Sequence, residues 1–395
     1  MKIADRSNIT LEYSFVQSTF WMTYGTSLSF ASVYLLGLSY SNSELGLILA
    51  LGNLSGALLG PMLSDQIDRS KNLGAADFIP WALAAQMLSL ILILLRPVRS
   101  PLSSIGYTLY IALALTVNSL NLKLYSDAIH SGWHINYGFT RGVGSASFVV
   151  LSMLLGVLVE RFSVRLIPLA GVLLCLVQFV AFTVIRRRIP HVSSARKEEK
   201  DLGAPLPEFI RSNPRFTVLL LGSAVLFLSY KMCVNFMINI ARNVGGDTST
   251  MGFLNAFTAT LEIPVMMLYQ RLFSKRNPAV LLAISFICFS LKAIAVALAG
   301  SVPALAAALL FQPCSFALYS SAIVLYVDRF LPYQDSAKAQ SLAFTMTTVG
   351  AVLSSIVGGA LFDRIGVSAT LWVTVAASLV GTAVSLLGIE RRRSA

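Results

Sequence analysis

Between Arg186 and Pro214 the chain reads RRRIPHVSSARKEEKDLGAPLPEFIRSNP, its longest polar stretch. Charge, proline and glycine fill this stretch, while almost everything around it is apolar. Six long apolar runs precede it and six follow, so it divides the protein into halves of similar length. A bilayer core about 30 Å thick needs ~20 residues of helix. The candidate spans before the stretch are 12–37, 44–64, 78–95, 104–126, 138–160 and 165–186. Those after it are 215–240, 250–273, 279–300, 303–328, 337–361 and 367–388. The expected fold class is an all-α integral membrane protein. Its twelve transmembrane helices form two pseudo-symmetric six-helix bundles, 1–188 and 215–395, joined by a cytoplasmic linker over 189–214.

Composition points the same way. Of 395 residues, 56% are hydrophobic and only 12% charged, with a mean hydropathy of +0.73. Soluble globular chains carry about 25% charged residues. A soluble domain, a disordered chain and a disulfide scaffold are therefore excluded. The net charge of +12 is not a nucleic-acid footprint, because the Lys and Arg residues gather at span ends. With the N-terminus inside, 22 of the 30 fall in inward segments and six in outward ones. Lys231 and Lys292 fall inside spans. This bias places both termini and the linker of a multi-pass protein in the cytoplasm. The compact length and the lack of a transit peptide make the cell inner (plasma) membrane the expected location. The first apolar run continues as a full span, so no cleavable signal peptide is expected.

The four cysteines, Cys175, Cys233, Cys288 and Cys314, each lie within an apolar run and read as small packing residues. No HExxH, GxSxG or Cys/His metal spacing occurs in the sequence, which argues against an enzyme. No cofactor and no metal are expected. A self-contained carrier of twelve spans reads as a monomer.

Duplicated halves with a cytoplasmic linker are the outline of a secondary transporter, whose substrate site is expected near the midplane, between the halves. The first span carries Gln17, Ser18, Thr19, Thr23, Tyr24, Thr26 and Ser27. Polar groups facing hydrocarbon are costly, so this helix is expected to line an aqueous cavity. Further cavity candidates are Trp21 on span one, Asn118 and Asn121 on span four, and Asn235 on span seven. Each also reads as inter-helix packing.

Two short motifs sit at span ends. After span two comes Gly60-Pro-Met-Leu-Ser-Asp65-Gln-Ile-Asp68-Arg69-Ser-Lys71. At the end of span eleven comes Gly359-Ala-Leu-Phe-Asp363-Arg364-Ile-Gly366. Small residues let helices approach closely. An acid there can bond a helix N-terminus or an arginine. Both runs resemble the G-x-x-x-D-R/K-x-G pattern of the major facilitator superfamily. In the first, Gln66 stands where a base is usual and Asp68 where glycine is. The resemblance implies the major facilitator fold and gating roles for Asp65, Arg69, Lys71, Asp363 and Arg364.

A third motif, Tyr137-Gly138-Phe-Thr-Arg141-Gly-Val-Gly144-Ser145-Ala-Ser-Phe148, opens span five. It resembles the branch of that superfamily that holds lactose permease, nucleoside:proton symporters and phenylpropionate permease. The resemblance implies that Arg141 binds substrate, paired with a span-four carboxylate, here Asp127. It implies that Phe148 stacks on the substrate. A guanidinium offers a fork of donors to hydroxyls or carboxylates, and a ring covers an apolar face.

Lys231 in span seven, Glu262 in span eight and Lys292 in span nine are ionisable residues inside the membrane, which makes each a functional candidate. Glu262 is the expected proton carrier. Two lysines against one acid can also signal an anionic substrate, and the three together also read as a static ion network. Span ten offers no titratable group, but Gln312 can bond substrate. The functional expectation is a proton-coupled symporter that takes up a small polar organic solute such as a sugar, glycoside or nucleoside by alternating access. The alternative is a proton-driven exporter or antiporter of amphipathic compounds or organic anions.

Overall fold

The computed structural model describes residues 8–69, 74–188, 205–273 and 276–390. The chain divides into two units, with the boundary between Glu198 and Glu199.

The first unit contains α1 (Thr10–Tyr24), α2 (Ala31–Gly37), α3 (Asn42–Arg69), α4 (Ala75–Leu95), α5 (Pro101–His130), α6 (Tyr137–Arg161) and α7 (Leu166–Arg188). The second contains α8 (Leu206–Ser212), α9 (Pro214–Asn235), α10 (Met237–Asn243), α11 (Thr248–Phe273) and α12 (Pro278–Leu298). It continues with α13 (Val302–Ala308), α14 (Leu318–Phe330), α15 (Tyr333–Arg364) and α16 (Gly366–Gly388).

Helix starts follow local chemistry. Ser41 and Glu44 bond each other's backbone N–H at the head of α3, a capping box. Ser100 and Asn136 cap α5 and α6, each accepting a backbone N–H from three residues on. Pro101 and Pro278 occupy first-turn positions, where no N–H is needed.

Ten helical segments among the described residues are long and apolar enough to cross a membrane. The stretch from α1 to α2, and α11, are helical as well, but they are not among the ten. The first carries the run of Ser and Thr noted above, and α11 carries Glu262. Apolar side chains point outward as in a membrane protein. Leu47, Leu51, Leu54 and Leu58 form an exposed stripe along α3.

The opposite face of α3 is made of Gly52, Gly56 and Gly60. A methyl group on Gly52 would stand 2.7 Å from Ile111, and one on Gly56 would stand 2.6 Å from Leu115. Gly60 meets Ser119 in the same way. Glycine alone therefore lets α3 lie against α5 at this separation.

Three spans expected to be continuous are broken. Span one turns through a π-helical segment, Gly25–Ser29, and restarts after Phe30. Span seven breaks at Phe236, between α9 and α10. Span ten passes through a 3₁₀ turn, Leu309–Phe311, and a π turn, Pro313–Ala317, before α14. Pro313 has no N–H to give an α ladder, which explains that site. The breaks in spans one and seven repeat between units. Each falls at a phenylalanine, each is followed by a seven-residue helix, and each has a tyrosine, Tyr24 or Tyr230, six residues before it. The main helix pairings repeat too. α1 packs on α6 and α7 as α9 packs on α15 and α16, and α4 packs on α5 and α7 as α12 packs on α14 and α16.

The described part of the stretch between the halves holds the short helix α8. Its Phe209 is fully buried, edge-on to Phe216 at 6.1 Å, with the Lys338 ammonium 5.6 Å from its ring centre.

Candidate functional site

In the first unit, the π turn of span one and the start of α6 come together. The Arg141 guanidinium lies 3.9 Å above the Trp21 ring, a cation–π contact, and its Nη1 donates to Ser145 Oγ at 2.6 Å. Gly144 permits this. A Cβ there would sit 2.5 Å from Trp21, so any larger residue would push α6 off the indole. Trp21 Nε1 donates to Gln17, Gln17 donates to Tyr13 Oη, and Tyr13 donates to the backbone carbonyl of Asn121. Tyr24 packs against Trp21 at 5.1 Å. Phe148 lies against Gly25, in the π turn.

Asp127 is buried near the end of α5 and receives Lys123 Nζ at 2.5 Å, one turn away on the same helix. The Asn121 side chain is 1% exposed and its amide makes no hydrogen bond.

In the second unit, four helical elements meet at one side chain. Gln312 is fully buried at the mouth of the span-ten π turn. Its Nε2 donates to Glu262 Oε1 at 2.5 Å and to Tyr230 Oη at 3.0 Å. Its Oε1 accepts from Lys292 Nζ. An ammonium only donates and a carboxylate only accepts, so the neighbours fix which way the amide points. Gln312 thus joins an acid on α11 to a base on α12 that it also keeps apart.

Tyr230 is the aromatic centre of this site. It stacks on Phe316 at 5.3 Å and meets Phe289 edge-on at 5.5 Å. Lys292 lies 5.0 Å and Lys231 5.7 Å from its ring centre. A void of about 10 Å³ beside Lys292 is lined by Ser229, Tyr230, Cys233, Phe289 and Ala293. That is room for a single water at most.

The remaining candidates lie apart from these clusters. Asn235 donates to Ser354 and Ser355 on α15, at 3.3 and 3.0 Å, and so ties two helices. Asp65 is exposed on the last turns of α3, and Arg69 ends that helix. Lys71 lies outside the described residues. Asp363 and Arg364 are exposed at the end of α15, where the neighbouring Phe362 stacks on Phe236 at 4.7 Å.

Sequence reasoning did not single out Tyr230 as the centre of the second site or Gln17 as a link in the first. The signal for Tyr230 is its match to Tyr24 ahead of a broken span, which becomes visible once both breaks are seen.

Comparisons with known proteins agree with this architecture. A family model described as MFS_1 like family matches residues 62–373. The "Probable 3-phenylpropionic acid transporter" of Escherichia coli is 24% identical over 277 residues, covering 68% of this chain and 69% of the relative. The "Putative sugar efflux transporter" of Deinococcus radiodurans is 29% identical over 164 residues, 41% of each protein. Among solved structures, the nucleoside transporter NupG superposes with a TM-score of 0.81 at 15% identity, over 98% of this chain and 100% of that one. At that identity the likeness concerns the fold.

Proposed function

The chain belongs to the MFS_1 like family and is a multi-pass membrane transporter rather than an enzyme; from that premise we propose proton-coupled uptake of a small organic solute by alternating access. The observation that carries this reading is Glu262, a carboxylate inside a membrane span, bonded to Gln312 and bridged by it to Lys292. Charge inside a span costs several kcal/mol unless it is paired or hydrated. Protonation of Glu262 removes that charge and releases its hold on the Gln312 amide. The Lys292 ammonium bonds the other end of the same amide, so loading a proton reshapes contacts on α9, α11, α12 and span ten together.

Arg141 on Trp21, with Phe148 two turns further along α6, supports a role for the first unit in solute selection. It offers donors beside apolar ring surface, as sugars, glycosides and nucleosides need. In this reading the protein sits in the plasma membrane with both termini and the 189–214 linker in the cytoplasm. It acts as a monomer, and the Asp65/Arg69/Lys71 and Asp363/Arg364 runs gate it.

Purified protein in proteoliposomes with an imposed pH gradient tests the proposal against a panel of labelled sugars, glycosides, nucleosides and aromatic acids. The wild type accumulates its solute. Glu262→Gln loses accumulation while still exchanging solute across the membrane. Equal, non-accumulating flux in both proteins would make the protein a facilitator. Export is the second reading, favoured by the sugar efflux relative. Extrusion against the gradient would move it to first place.

A further inference from the structure

The second site holds two ammonium groups, and they are not equivalent. We propose that Lys231, and not Lys292, receives the charged group of the transported solute, and that this solute is an organic monoanion with a carboxylate on an apolar body. The inference rests on the transport reading above and puts an anionic solute in place of the neutral sugars, glycosides and nucleosides.

Lys292 is 5% exposed, its Nζ is spent on Gln312, and the void beside it holds no more than a water. A solute cannot reach it without dismantling the network. Lys231 is only partly buried. Among the described residues it makes no hydrogen bond and no ion pair. It lies 5.7 Å from the Tyr230 ring centre and within the field of the Glu262 carboxylate.

An ammonium inside a span without a hydrogen-bond partner is unfavourable. A chain that keeps one there needs something to complete it. Charge arithmetic says what. Lys231, Lys292 and Glu262 together carry one net positive charge. A monoanion brings the cluster to neutrality, whereas a dianionic phosphate overshoots and a neutral solute leaves the cost in place. The surroundings give the rest of the ligand. Tyr230 lies beside Lys231, and the half-buried Phe316 stacks on Tyr230 at 5.3 Å. That surface suits an apolar body better than a hydroxyl-rich one.

Matched carboxylate and amide pairs test this on the full-length protein in nanodiscs of zwitterionic lipid. The probes are 3-phenylpropionate with 3-phenylpropionamide, and hexanoate with hexanamide. The wild type is expected to bind the carboxylates at least about 10-fold more tightly, as for one charged hydrogen bond. Lys231→Met removes the preference and Lys231→Arg keeps it. Lys292→Met keeps the preference even as uptake falls. A preference that survives Lys231→Met, one lost only in Lys292→Met, or a wild type that binds no carboxylate better than its amide would each overturn the assignment. Flux of the same compounds into liposomes judges the transport reading separately. Carboxylates that bind through Lys231 but never cross count against transport and leave the receptor standing. Neutral solutes that cross while no carboxylate binds do the reverse.

Discussion

Spans two and four of the first unit hold the same places in chain order as spans eight and ten of the second, yet the two pairs meet through opposite chemistry. In the first unit α3 lies on α5 through Gly52, Gly56 and Gly60, whose bare backbone packs directly on Ile111, Leu115 and Ser119. In the second, α11 reaches span ten through the Glu262 carboxylate and the Gln312 amide. Asp127 of the first unit bonds Lys123 on its own helix. Glu262 of the second bonds Gln312, which reaches Tyr230 and Lys292 on two further helices. A pair within one helix does not change when helices move. A network across several helices does, and its members report each other's protonation. Under the proposed function, the first unit is a scaffold with a selective face, and the second is where charge and helix position are coupled.

The strongest way to break this comparison is Gln312→Leu. It strips a partner from both Glu262 and Lys292 and should destabilise the second unit by roughly 3–5 kcal/mol, as for a broken buried ion pair. Denaturant titration in detergent measures the loss. A change below about 1 kcal/mol would show that the bridge is dispensable. Gly56→Leu attacks the other pair. Side-chain bulk forced between α3 and α5 should cost about 1–3 kcal/mol, with a lowered Tm and retained solute preference. Asp127→Asn removes its pair with Lys123 within one helix. It should cost about 1 kcal/mol or less and leave gradient-driven accumulation intact, which a flux assay decides.

The smallest effect concerns Asp247, which caps α11 at the entrance to the coupled helix. It accepts the Thr250 N–H at 2.7 Å and the Thr250 hydroxyl at 2.8 Å. These bonds hold its carboxyl below the usual value of 3.8. A depressed folded value stabilises above the unfolded one and is lost as pH falls through the folded one. The contribution is therefore complete at neutral pH and disappears only below about pH 4. Asp247→Ala should cost about 0.5–1 kcal/mol at pH 7 and less at pH 2, read from unfolding midpoints at the two pH values.

Much of this was legible in the residues. Apolar run length gave the spans, and the penalty on intramembrane charge marked Glu262, Lys231 and Lys292 before any coordinates. The meeting of residues 262, 292 and 312 was not legible. Run length says where a helix lies along the chain but not how it is rotated about its axis, and contact depends on rotation. The breaks in spans one and seven were hidden for a related reason, since neither Phe30 nor Phe236 differs in kind from the apolar residues around it. The break in span ten was missed as well, although Pro313, with no N–H to give, carries a signal for it. The glycines at 52 and 56 were visible as letters, but their purpose depends on what faces them.

The π turn at Pro313–Ala317 has one more consequence. A π turn amounts to one surplus residue in an α-helix, and each residue of an α-helix carries the direction of side chains round by about 100°. Span ten therefore works like a shaft with a phase shift cut into it. The half above is clocked to aim Gln312 at Glu262 and Lys292. The half below is clocked separately, so that Leu318, Ala322 and Tyr326 face the core of their unit. The two tasks need different angles, and the surplus residue lets one helix serve both.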